Sequence, residues 1–215
     1  MCNLFDIGPN QNKGRKRWEK QLREAVETLP KIYHIRRTDT AAVLRQSGSD
    51  GSSLEPAIMR WGFRRDFSDA INNTRSDKLA GGMWRDAFAH RRCAIPVAAF
   101  YEWTGARGDK QAYAFRERGG GWLWAAGVWE APGSGGLPPA FSMVTTAAAP
   151  WMKAIHDRMP ALLAEDQVEA YITGPEPAAL IAPLREALEF FRCENPLLLK
   201  TPGPPVPDAQ GDLFF

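Results

Sequence analysis

Disulfide and structural-zinc chemistry have little to work with in this sequence. Its 215 residues hold only three cysteines, Cys2, Cys93 and Cys193, and none stand in a Cys-x-x-Cys spacing. An odd, scattered set supports neither a disulfide framework nor a zinc site, and no metal or other cofactor is expected. Long apolar runs are missing too. None approaches the roughly 20 residues of a membrane-spanning helix, and the first residues lack the basic-then-apolar pattern of a secretory leader. A cytoplasmic protein with no membrane partner is the expectation. Charge of one sign is also scarce: 27 basic and 25 acidic side chains leave a formal +2, so nothing overall demands a polyanion. Lys and Arg do cluster in "KGRKRWEKQLR", "RWGFRR" and "HRRC", and each cluster reads as a basic face or as ordinary solvated surface.

What is present is an ordinary globular composition, 44% apolar and 24% charged, with enough chain for one substantial core. Trp18, Leu22, Val26 and Leu29 recur at helical spacing within residues 13–29, and Pro30 ends that helix. The pattern then shifts to short β-like runs: "KIYHI", "AAVLR", "AIMRWGF", "CAIPVAAFYEW", "QAYAFRER", "GWLWAAGVWE" and "AFSMVTT". The glycines at 119–121 read as a hairpin turn between two aromatic-rich strands, and "APGSGGLPP" as a surface loop. Two helical stretches are expected near "EDQVEAYI" and "EPAALIAPLREALE", the second broken by Pro183. The reading is α+β: one compact domain over residues 1–200 with a mostly antiparallel β core, then a Pro-rich tail, 201–215, disordered or draped on the surface.

Four stretches place reactive side chains beside aromatic or polar structure: "MCNLF", "NNTRSD", "FYEW" and "AIHDRMP". Cys2 is either a small hydrophobe near a frayed end or a nucleophile exposed by removal of Met1. A free N-terminal cysteine carries an α-amine of pKa roughly 7.7 to 8.0 beside a thiol of about 8.5. Such a 1,2-aminothiol condenses with an aldehyde through nitrogen and closes through sulfur, which no internal cysteine can do. Glu102 is an exposed strand carboxylate or, given its apolar neighbours, a desolvated acid suited to proton transfer. Period-two alternation through "CAIPVAAFYEW" places Cys93, Ile95, Val97, Tyr101 and Trp103 on one face and Ala94, Ala98, Phe100 and Glu102 on the other. His156 reads as a helix-end residue or a catalyst. Thr145 and Thr146, before Arg158, suggest a hydroxyl-lined strand end meeting a guanidinium, which suits a phosphate or sugar oxygen. Asn73 and Arg75 read as part of a polar turn in which Asn73 or Ser76 caps a helix, or as an amide and a guanidinium that hold a substrate.

In combination these stretches resemble the SRAP family, the SOS-response-associated peptidases that shield abasic sites in single-stranded DNA. The matching segments are Cys2, "RWGF" at 60–63, Asn73 to Asp77, "RRCAIPVAAFYEW" and "VTTAAAPWMKAIHDRMP", in family order over residues 1 to about 163. The resemblance implies a distorted β-barrel core flanked by helices and a cleft for single-stranded DNA. It implies an autopeptidase that removes its own Met1, with crosslinking and lyase-type activity on abasic sites: Schiff-base attack by the Cys2 amine on the ring-opened sugar, then thiazolidine closure by the thiol. Asn73 would position the Cys2 amine, Glu102 would shuttle protons, and His156 would assist ring opening or reversal. Arg75, with Ser76, Arg158, Thr145 and Thr146 around it, would meet the DNA, and Trp61 and Gly62 would lie near the flanking nucleotides. The expected molecule is a monomer, nucleoid-associated when bound. Asn3 and Leu4 depart from the commonest Met-Cys-Gly-Arg-Phe start, whose Arg would ordinarily reach DNA. "IYHIRRTDTAAVLR" and "FRCENPLLLKTP" replace two further family stretches.

Two other readings use the same residues. One is an N-terminal-nucleophile hydrolase that cleaves amides in other molecules with Cys2, Glu102 and His156. The other is a non-catalytic single-strand binder stacking bases on Trp61, Phe63 and Trp103.

Overall fold

The structure, a computed structural model, describes residues 2–10, 16–48, 53–106, 108–133, 136–182, 188–208 and 213–214. In chain order the elements are β1 (Leu4–Asp6), α1 (Arg17–Glu27), β2 (Ile35–Arg36), β3 (Thr40–Gln46), β4 (Leu54–Trp61), β5 (Phe63–Arg65), β6 (Ser68–Ile71) and β7 (Asn73–Arg75). They continue with α2 (Gly82–His90), β8 (Arg92–Val97), β9 (Ala99–Thr104), β10 (Gln111–Arg116), β11 (Leu123–Glu130), β12 (Ala140–Ala147), β13 (Arg158–Pro160) and β14 (Leu162–Leu163). Last come α3 (Val168–Thr173), β15 (Glu189–Cys193) and β16 (Leu213–Phe214). This is the expected α+β class, mostly strand, with three α-helices among the described residues.

Two sheets share the interior. Sheet A runs β16-β15-β10-β9-β1-β2, and sheet B runs β13-β12-β4-β3-β8-β11-β14 with β7 added beside β12. An extra β11–β12 pairing closes β3, β4, β12, β11 and β8 into a ring of five strands. Pairing is antiparallel except where β12 runs parallel to β4 and to β7. Phe5, Phe100, Phe115 and Phe190 of sheet A join the main core, while Leu4, Ala99, Tyr101, Phe191 and Cys193 form a second apolar cluster on the sheet's outer face. Helix α1 buries Trp18, Leu22 and Val26, the stripe its spacing predicts, over residues 17–27; residues 13–15 of the expected helix lie outside the described residues.

Several local expectations change. "CAIPVAAFYEW" is two strands, since the chain leaves sheet B at Val97 and enters sheet A at Ala99. The Ala98 N–H donates to the Asp6 carbonyl at 2.7 Å at that crossing. Residues 119–121 do not close a hairpin, because β10 belongs to sheet A and β11 to sheet B. "AIMRWGF" breaks at Gly62, whose φ of +117° and closeness to Ala70, 2.7 Å from an added Cβ, admit only glycine. Helix α2 is an addition to the expected elements. Of the last expected helix, only a 3-10 turn at Pro177–Leu180 forms, Glu189 lies in β15, and residues 183–187 are outside the described residues. Residues 194–207 follow the outer face of sheet A, with Cys193 bridged to Pro207 and the Asp208 N–H donating to the Arg192 carbonyl at 3.0 Å.

Candidate active site at the N-terminus

Besides β9, which carries Glu102, three segments distant in sequence meet at Cys2. The first is the start of the chain, held by β1 between β2 and β9 through Phe5↔Ile35 and Phe5↔Phe100. The second is β7, whose register along β12 (Met143↔Asn73, Thr145↔Arg75) sets Asn73 and Arg75 on one face and buries Thr74. The third is the turn after β12, which carries His156 and leads into β13 at Arg158, opposite Ala147.

Cys2 is completely buried. Its Sγ lies 3.4 Å from the Leu4 carbonyl, and the Asn73 amide donates to the Cys2 carbonyl at 2.6 Å. Asn73 therefore holds Cys2 through its carbonyl oxygen, where the expected contact was with its amine. Burial pushes the Cys2 thiol far up, and the nearby Glu102 carboxylate pushes it further. Glu102 is itself buried in β9, and burial raises its carboxyl to about 7. Of the two readings of Glu102, the desolvated acid is the one the fold builds. His156 faces it, Nε2 to Oε2 at 3.9 Å. The Arg158 N–H donates to His156 Nδ1 at 2.9 Å, and burial lowers the imidazole pKa. Neutral His156 thus presents an Nε2–H to the carboxyl.

The rim is cationic. Arg75 is exposed and forks onto Asp77 through two 2.9 Å bonds, which hold the Asp77 carboxyl down at about 2. Arg158 donates to the Thr145 carbonyl and, at 3.2 Å, to its hydroxyl, and the Arg75 and Arg158 charges repel each other. Thr145 and Thr146 are both buried. Thr145 donates to the Thr74 carbonyl at 3.3 Å and anchors Arg158, so the hydroxyl meets the guanidinium inside the protein instead of at an open subsite. Ser76 starts a 3-10 turn, Ser76–Lys78, and caps no helix; Asn73 is engaged with Cys2 instead.

Trp61 is not at the surface. It is fully buried, edge-on to Phe5 at 4.8 Å and stacked with Phe141 at 6.4 Å. Its Nε1 donates to the Asn72 carbonyl at 2.8 Å, which fixes the residue before Asn73. Phe63 is also buried, and Trp103 lies on the outer face of sheet A with its Nε1 donating to Asn195. The stacking platform expected of Trp61, Phe63 and Trp103 is therefore not formed, and Gly62 is required by the bend at Ala70. Leu4 is fully buried in the outer cluster. Sequence reasoning missed Asn72, whose amide reaches the Cys2 carbonyl at 3.5 Å and the Asn3 side-chain oxygen at 3.2 Å. The signal was its place beside Asn73 in "NNTRSD". Among the described residues no group of three or more metal-binding side chains is gathered, and no helix is long and apolar enough to cross a membrane.

Fold and site together define a mixed α+β domain organised around a cysteine at the second position, backed by a buried acid and an imidazole. The chain belongs to the SOS response associated peptidase (SRAP) family, whose model matches residues 1–195. It is 29% identical over 153 residues to the abasic site processing protein HMCES of Xenopus tropicalis, covering 57% of this chain and 46% of that one. With HMCES of Gallus gallus the identity is 28% over 180 residues, covering 68% and 52%. The chain spans about half the length of the curated relatives it matches. A solved protein of Bacteroides thetaiotaomicron superposes with a TM-score of 0.73 at 19% identity, covering 94% of this chain and 96% of that one. A phage-related protein of Bordetella bronchiseptica gives 0.67 at 19%, covering 90% and 95%. These two likenesses establish the fold.

Proposed function

We propose that this protein processes abasic sites in single-stranded DNA by forming a covalent crosslink through Cys2. The observation that carries the reading is the convergence on Cys2 of the Asn73 amide, the Glu102 carboxyl and, behind it, His156. The names of the HMCES relatives, abasic site processing proteins, support the substrate.

Hydrolysis of the Met1–Cys2 amide frees the α-amine. The amine adds to the aldehyde of the ring-opened deoxyribose, and loss of water gives the imine. The Sγ–H then adds across C=N: sulfur bonds to carbon, the proton ends on nitrogen, and the thiazolidine ring closes. Glu102, at about 7, is poised both to donate a proton to the departing oxygen and to accept one from the amine. The Nε2–H of His156 faces that carboxyl and supports its charged form. The thiol is held protonated, so nitrogen attacks first and sulfur follows. Arg75 and Arg158 supply the charge that meets the phosphates beside the lesion.

The test is direct. Protein is incubated with single-stranded DNA carrying one abasic site and boiled in denaturant. A gel-shifted product that needs Cys2 and withstands boiling is expected. No such product, or an equally stable one from Cys2→Ser, overturns the mechanism, and intact mass reports whether Met1 is gone.

A further inference from the structure

Behind the site, on the outer face of sheet A, lies a second buried polar cluster. Asp6 is completely buried there. Its Oδ1 accepts the His34 N–H at 2.6 Å, and its Oδ2 accepts the Tyr101 hydroxyl at 2.6 Å. His34 takes a left-handed backbone, φ +52°, to make its bond. Tyr101 is buried, and the Gly203 backbone lies against the His34 imidazole, so the segment after β15 roofs the cluster.

The mechanism above uses none of these groups, yet they sit where the register of β1 is decided. Strand β1 is three residues long and pairs with each neighbour through two residue pairs, Phe5↔Phe100 and Asp6↔Ala99 on the β9 side. A ladder this short specifies register weakly, and a slip of one residue turns every side chain to the opposite face. Asp6 lies opposite Ala99 and bonds diagonally to Tyr101, two residues further along β9. That bond joins the segment carrying Cys2 to the residue just before Glu102. A slip would swing Asp6 into the apolar interior beside Phe100 and turn Phe5 outward, away from Trp61.

We propose that Asp6 and Tyr101 form a register latch: two positioning residues that hold Cys2 sealed beside Glu102. The latch itself follows from geometry; only its effect on crosslinking rests on the function proposed above.

The experiment uses the full chain and the variants Tyr101→Phe, Asp6→Ala and Asp6→Asn. Iodoacetamide labelling, followed peptide by peptide, compares Cys2 with Cys93, which is buried in β8 away from the latch. Tyr101→Phe and Asp6→Ala are expected to speed Cys2 labelling about tenfold, the scale of losing one buried hydrogen bond, with Cys93 unchanged. Asp6→Asn keeps an acceptor for His34 and a polar partner for Tyr101, and is expected to label at nearly the native rate. Unchanged Cys2 labelling in the first two variants overturns the latch, as does a rise in Cys93 that matches Cys2, which reports general loosening. Crosslinking to abasic single-stranded DNA is expected to slow in step with Cys2 exposure while affinity for intact DNA holds. If the native protein makes no crosslink, the functional reading fails and the labelling still decides the latch.

Discussion

His156 Nε2 stands 3.9 Å from the Glu102 carboxyl, while its Nδ1 accepts the Arg158 N–H at 2.9 Å and lies 3.0 Å from an Asp157 oxygen. The neutral ring uses Nδ1 as an acceptor. A protonated ring would have no lone pair there and would donate to the Asp157 oxygen instead. Protonation therefore breaks the bond that aims Nε2–H at Glu102. The His156 pKa is expected below the ordinary 6.5 in a proton NMR titration, and lower again in Asp157→Asn, because the Asp157 charge raises it. An unchanged pKa in that variant contradicts the pairing.

Stability should fall as the pH rises toward neutrality, because two large carboxyl shifts outweigh the opposite slope from His34 and His156, whose pKa values burial lowers. Burial moves Glu102 from 4.5 to about 7 and Asp6 from 3.8 to about 7. Both carboxyls are raised, so the stability tied to their protonated forms is complete below the unfolded values and is lost as pH climbs through about 7. Urea midpoints measured from about pH 5 to about pH 8 should decline for the native protein. The double variant Asp6→Asn, Glu102→Gln should give a flatter line, and parallel lines would refute the assignment.

The two amides on Cys2 should differ in weight. Asn73→Ala removes a 2.6 Å bond to a buried carbonyl and is expected to slow crosslinking by about ten- to a hundredfold, matching the loss of a well-made hydrogen bond at a buried acceptor. Asn72→Ala removes longer contacts, 3.5 and 3.2 Å, and should slow it by less than about fivefold. Asn3→Gly, which restores the commoner family residue, should lie near native. Gel quantification of the initial rate ranks the three, and an Asn3→Gly effect larger than that of Asn73→Ala would reverse the hierarchy.

Arg75 is restrained by Asp77 in the free protein, and the proposed DNA contact is testable there. Asp77→Asn should release it and tighten binding of single-stranded DNA. Arg75→Gln should weaken binding and reduce the slope of log K against log salt by about 0.7, the value of one single-strand phosphate contact. Fluorescence anisotropy at several salt concentrations reads both, and an unchanged slope in Arg75→Gln removes Arg75 from the phosphate path.

What the sequence made legible was whatever depends on local spacing or residue chemistry. The α1 stripe and the apolar setting of Glu102 form close to where they were read, while "NNTRSD", read as a capping turn, is strand β7 running into a 3-10 turn. What it concealed depends on partners far along the chain. The alternation in "CAIPVAAFYEW" runs unbroken through Ala98, yet that residue is where the strand changes sheets, a choice made by Asp6 some ninety positions earlier. Trp61 has the chemistry of a stacking residue and is instead walled in by Phe5 and Phe141. Helix α2 starts at a glycine pair with no capping side chain, so no start signal marked it. The Asp6–Tyr101–His34 cluster unites positions 28 and 95 residues from Asp6, beyond the reach of any periodicity.

The sealed position of Cys2 also matters during the time before it meets a substrate. Oxidation of cysteine runs through the thiolate and requires access, and this thiol is fully buried and held protonated. On the function proposed above, the sulfur that closes the crosslink is thereby kept reduced until it is needed. Folding here doubles as storage: peroxide in the surroundings should spoil an exposed terminal cysteine long before it spoils this one.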